Sequence, residues 1–164
     1  MNKVEIRKQV LIKRESLSPD EVLFRSQKIQ DNLFNMYAFE QARLLMTYMA
    51  FRNEVLTQQV VEKALAQGKR VAVPYVVKKQ NKIVPSLIKD PAADLAPGSY
   101  GIMEPKPSVL RPVNPKEIDM VLIPGLLLTA VEIAWVTVAG TMIAFYHGVL
   151  LKLCLLPCAT IFKW

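Results

Sequence analysis

The residues of this chain that could do chemistry fall into separate groups. Lys3 and Arg7 stand four apart on a segment with a modest helical stripe. Two cations so spaced share a helix face and can meet phosphate oxygens, although an ordinary solvated face has the same spacing. A second group follows the short apolar runs: Met49 to Glu54, Pro74 with Tyr75, and Pro124 with Gly125. Ligands of parallel sheets gather at the carboxyl ends of strands, which is where such residues would sit. A third group is His147, Cys154 and Cys158, the sole histidine and the only cysteines. Their spacing lacks a paired metal-ligand motif, so they read as structurally incidental.

The elements that must position these groups are legible as an α/β pattern. "KVEIRKQVLIKRESLSPDEVLFRSQKIQDNLFNM" reads as two helices, the second starting at Ser18 as N-cap with Pro19 and Glu21 behind it. Val22, Leu23, Ser26, Ile29 and Leu33 recur at helical spacing. "ARLLMTYMAF" is a buried strand, "TQQVVEKALAQG" a helix stopped by Gly68, and "KRVAVPYV" the next strand. "NKIVPSLIK" is a further strand, placed at an edge by Pro85. The Pro- and Gly-rich stretch from Asp90 to Glu117 is expected to be mostly loop with one short turn of helix, and "IDMVLIPG" a fourth apolar strand. The order predicts a mainly parallel sheet flanked by helices, in a three-layer domain over residues 1–125.

Composition restricts the partners. The 164 residues carry a net charge of +7, which suits anionic small molecules such as nucleotides. No basic run is interleaved with aromatics, so nucleic acid is not expected. The charged N-terminus has no apolar core of a secretory signal, and two cysteines give no disulfide framework; a cytoplasmic monomer is expected. The whole-chain average hides a break. From Met120 onward the only charges are Glu132, Lys152 and Lys163.

Several segments together resemble the 5-formyltetrahydrofolate cyclo-ligases, also called 5,10-methenyltetrahydrofolate synthetases. They are "KVEIRKQVLIKRESLSPDE", "TYMAFRNEV", "KRVAVPYV", "GSYGIMEP" and "IDMVLIPGL", in that family's order and spacing over residues 3–126. The resemblance implies ATP-dependent closure of 5-formyltetrahydrofolate to the 5,10-methenyl form, with Mg2+. It implies that Lys3, Arg7, Pro124 and Gly125 serve ATP, and that Met49, Glu54, Tyr75 and Tyr100 serve the folate. It assigns no catalytic residue and no metal ligand here.

The resemblance stops after Gly125. There the family has a stretch like "AFDxxGxRLGxGxGYYD", whose glycines admit phosphate to backbone N–H groups and whose last Asp serves Mg2+. This chain has "LLTAVEIAWVTVAGTMIAF". Read one base earlier, codons for this tail can encode AFDRRGNRLGYGGGYYDRF. Two positions leave no freedom. Trp135 and Met142 have single codons ending in G; with Val136 and Ile143 they force Gly and Asp in the shifted frame. Residues 126–164 therefore read as a frame-shifted tail, apolar through coding rather than selection. The competing account is a membrane anchor over residues 120–151, disfavoured by central Glu132 and the lack of charged flanks before Lys152. A non-catalytic nucleotide- or folate-binding remnant is the remaining alternative.

Overall fold

The computed structural model describes residues 2–125 apart from Asn81. Residues 126–164, with His147, Cys154, Cys158 and the stretch expected to be frame-shifted, lie outside the described residues. Helix α1 (Lys3–Glu15) starts at Asn2, whose side chain accepts the Glu5 N–H, and ends with Lys13 and Arg14 in its last turn. Helix α2 (Pro19–Phe34) opens on a complete capping box: Ser18 Oγ accepts from Glu21 N, and Glu21 Oε2 from Ser18 N. Its buried stripe is Val22, Ser26, Ile29, Gln30 and Leu33. Leu23 lies off that stripe and is exposed; Gln30 takes a buried place because its amide has a backbone partner, Leu56 O at 2.7 Å.

A short helix α3 (Tyr37–Gln41), which periodicity did not reveal, turns the chain into β1 (Leu44–Met46) and buries Phe39. Helix α4 (Gln58–Ala66) leads to β2 (Arg70–Val77) through Gly68, which has φ +74°. Strand β3 (Lys82–Ile88) follows. Next come α5 (Pro91–Asp94), β4 (Leu95–Pro97), β5 (Met103–Pro105) and finally β6 (Met120–Val121). The main sheet has the order β3-β2-β1-β6. Strand β1 pairs in parallel with β2 (Leu45↔Val71) and with β6 (Leu45↔Met120).

The expected parallel sheet is mixed in one respect: β2 and β3 are antiparallel, with Pro74 opposite Pro85. Only four residues separate them, with a 3-10 turn at Lys78–Gln80, and a parallel partner needs a crossover of a dozen or more residues. Pro85 does sit in the outer strand, as its missing N–H suggests. The stretch from Asp90 to Glu117 is more ordered than a loop. Besides α5 it holds the antiparallel hairpin of β4 and β5 and short 3-10 turns at 107–109 and 115–117.

Both faces of the sheet are buried, which is why its central strand reads as an unbroken apolar run. One face, with Leu45, Val71, Val73 and Met120, packs on Leu33 of α2, Phe39 of α3 and Val60, Val61 and Ala64 of α4. The other, with Leu44, Met46, Ala72 and Val121, packs on Ile118 with Val113 beside it. No helix among the described residues is long and apolar enough to cross a membrane.

Candidate active site

The loop after β1 is held by several side-chain hydrogen bonds. Thr57 Oγ1 donates to Tyr48 O at 2.7 Å, and Tyr48 Oη to Val55 O at 3.0 Å. From α2, Ser26 Oγ accepts the Leu56 N–H at 3.0 Å and Gln30 Nε2 donates to Leu56 O. Asn53 Nδ2 donates to Arg14 O (3.2 Å) and Leu17 O (3.0 Å), just past the last turn of α1. The loop is thus pinned to itself and to two helices.

Glu54 sits inside this loop with its side chain 20% exposed. Oε2 accepts the Phe51 N–H at 3.1 Å, and Oε1 lies 3.7 Å from an Arg14 guanidinium nitrogen. Burial pushes the Glu54 carboxyl above its ordinary range; the Phe51 N–H and the Arg14 charge pull the other way without cancelling it. A half-buried carboxylate at a strand end, short of partners, can accept hydrogen bonds from a ring rich in N–H groups.

The register places most of the sequence-predicted residues at one end of the sheet. Met46 is opposite Ala72 and Val121, so Met49, Glu54, Tyr75, Pro124 and Gly125 all lie toward the carboxyl ends of β1, β2 and β6. Met49 packs against the helix-covered core, whereas Tyr75, Pro124 and Gly125 are half-buried. Tyr100 is different. It occupies the turn of the β4–β5 hairpin with φ +62° and is 88% exposed. Strand β5 packs against β2, which sets the hairpin beside Tyr75's strand.

Lys3 opens α1, and Arg7 is exposed one turn later. The far end of that helix is tied to the Glu54 loop through Arg14 and the carbonyls held by Asn53. Arg14 was not expected from the sequence, and Asn53 lay within the segment Met49 to Glu54 without a role of its own. The available signal was Asn53 itself: asparagine tolerates left-handed backbone, and "RN" follows directly on an apolar strand. Among the described residues no group of His, Cys, Asp or Glu is arranged to hold a metal ion.

Comparison with known proteins gives a consistent assignment. The family model described as the 5-formyltetrahydrofolate cyclo-ligase family matches residues 1–131. A Caenorhabditis elegans protein named "Probable 5-formyltetrahydrofolate cyclo-ligase" is 24% identical over 129 residues, covering 75% of this chain and 62% of that protein. The solved 5,10-methenyltetrahydrofolate synthetase of Aquifex aeolicus superposes with a TM-score of 0.67 at 32% identity, over 77% of this chain and 62% of that one. The synthetase from Mycoplasma pneumoniae shares the fold, with a TM-score of 0.55 at 24% identity over 76% of this chain and 64% of its own. The chain thus spans about three fifths of the length of these relatives. It belongs to the 5-formyltetrahydrofolate cyclo-ligase family.

Proposed function

We propose that the parent activity of this chain is ATP-dependent conversion of 5-formyltetrahydrofolate to 5,10-methenyltetrahydrofolate, and that this polypeptide performs it poorly or not at all. The observation carrying the first half is the family match over residues 1–131, on a fold shared with two synthetases. The second half rests on the sequence after Gly125, which lacks the family's glycine-rich loop and its Asp.

In this reaction the formyl oxygen attacks the γ-phosphorus of ATP and ADP leaves. N10 then attacks the formyl carbon, closing the ring, and phosphate departs. The protein's part is positioning and charge neutralisation. Lys3 and Arg7 are assigned to phosphate oxygens on one helix face. Glu54 is assigned to pterin N–H groups, with Met49 beside it and the rings of Tyr75 and Tyr100 as flat apolar contacts. Pro124 and Gly125 open the turn into the nucleotide loop.

Residues 126–164 are proposed to be a frame-shifted tail appended to a cyclo-ligase domain of residues 1–125. Loss of backbone donors aimed at developing charge costs about 100-fold or more in rate. A turnover assay that follows the methenyl product should therefore show under about 1% of the rate of a chain with the frame restored after codon 125. Equal rates for the two chains would refute the impairment. No activity from the restored chain would refute the assignment. Sequencing across codon 125 tests the slipped frame directly.

A further inference from the structure

The contacts that fix the Glu54 loop do more than close a turn. Arg52 (φ +46°) and Asn53 (φ +54°) are successive non-glycine residues in left-handed backbone, a region that side chains with a Cβ rarely adopt. Such a pair persists when surrounding bonds over-determine it. Here Phe51 and Glu54 bracket the pair with their own bonds, and one group ties it to α1. The Asn53 carboxamide donates to Arg14 O at 3.2 Å and Leu17 O at 3.0 Å, with Glu15 O at 3.5 Å. Arg14 and Glu15 carry two of the last carbonyls of α1, which a helix end leaves without intrahelical i+4 donors, and Leu17 lies just beyond its cap. Arg14, whose carbonyl Asn53 holds, faces Glu54 with its guanidinium. That guanidinium is incompletely used: its nearest approach to the carboxylate is 3.7 Å, and its buried Nε has no hydrogen-bond partner. A pair serving only to hold the fold together would close, as Arg111 closes on Asp94 at 2.7 Å.

We infer that Asn53 and Arg14 are positioning residues, clasping the Glu54 loop to the carboxyl-terminal end of α1 so that the ring-binding carboxylate and the phosphate-facing helix are set by one joint. The helix is a rigid rod of 13 residues, about 20 Å long, with Lys3 and Arg7 at one end and the clasp at the other. Fixing the clasp fixes where Glu54 stands relative to that rod. The inference deepens the proposed function and rests on Glu54 being the folate-binding carboxylate.

The test uses the full chain and measures 5-formyltetrahydrofolate binding by calorimetry. Asn53→Gly keeps a residue at ease in left-handed backbone and removes only the carboxamide; Arg14→Met keeps the apolar stem and removes the charge. Each is expected to weaken binding by about tenfold, and by less than about twofold when introduced into Glu54→Gln, because both act through that carboxylate. Equal losses in the two backgrounds, or unchanged affinity with a lowered Tm, would overturn the inference. If the unsubstituted chain binds no folate, the functional assignment fails instead, and amide hydrogen exchange decides the clasp. Asn53→Gly should then speed exchange at Phe51 to Leu56 and at Ser16 and Leu17 together. Acceleration confined to the loop would show that no such joint exists.

Discussion

Glu54, in the loop after β1, and Asp94, at the end of α5, are both carboxylates beside strand ends, and each faces an arginine from another part of the chain. The fold treats them in opposite ways. Asp94 is almost fully buried and receives Arg111 as a two-pronged fork, at 2.7 and 3.2 Å, together with the Lys89 N–H at 2.8 Å. The Arg111 guanidinium, with help from the Lys89 and Asp90 N–H groups, holds its carboxyl down to about 2 against the cost of burial. Glu54 has one backbone donor and an arginine at 3.7 Å, and burial pushes its carboxyl up. The first arrangement is saturated. It ties α5 and the base of the β4–β5 hairpin to the strand end of β3, since Arg111 N also donates to Ser86 Oγ. The second leaves acceptor capacity on a desolvated charge, which raises free energy in the unliganded protein and is recovered when a donor-rich ligand arrives. Saturation suits Asp94 to a structural role, and the deficit at Glu54 is what the proposed folate contact would use.

The largest effect should come from breaking the saturated site. Asp94→Ala strips partners from Arg111 and the Lys89 N–H, and should cost about 3 kcal/mol, or roughly 6–12 °C in Tm. A loss under about 1 kcal/mol in thermal melts would remove the contrast. The pH dependence should separate the two groups. Asp94 is depressed from 3.8 to about 2, so its stabilisation is present above pH 3.8 and is lost as pH falls toward 2. Glu54 is raised from 4.5, so its relative stabilisation is present below pH 4.5 and is lost as pH rises through the folded value. Melting curves from pH 7 to 2 should show these slopes, the acid one vanishing in Asp94→Asn and the other in Glu54→Gln.

Smaller effects sharpen the comparison. At pH 7, Glu54→Gln should leave Tm within about 2 °C of the parent or raise it, because a partly uncompensated buried charge is removed. Folate affinity should fall by about tenfold in the same protein. A Tm drop equal to that of Asp94→Ala would place Glu54 among the structural carboxylates. Tyr100→Ala should be the mildest. An exposed ring contributes under about 0.5 kcal/mol to stability, while a stacked contact with folate would be worth about fivefold in affinity. Unchanged folate binding would leave Tyr100 as a turn residue only.

Much of the fold was legible because its signals are local. Ser18, Pro19 and Glu21 encode a helix start within four positions, and Gly68 encodes a stop by itself. The apolar runs of β1 and β2 announce burial on both faces, and Pro85 announces the outer strand. The hairpin of β4 and β5 was not legible. Its strands are three residues each with proline in both, and only their pairing identifies them. Helix α3 was hidden for the same reason, five residues being too few to show a period.

The sequence by itself determined the order of helices and strands, the family resemblance, and which strand ends would carry polar side chains. It also determined that charge nearly disappears from Met120 onward, where Glu132, Lys152 and Lys163 are the only charged residues. Tertiary structure alone decided which arginine meets which carboxylate, how closely, and therefore which carboxyl is held down and which is pushed up. Ionisation depends on burial and on partners brought together by folding, as Arg14 is with Glu54 and Arg111 with Asp94. Spacing along the chain carries neither quantity.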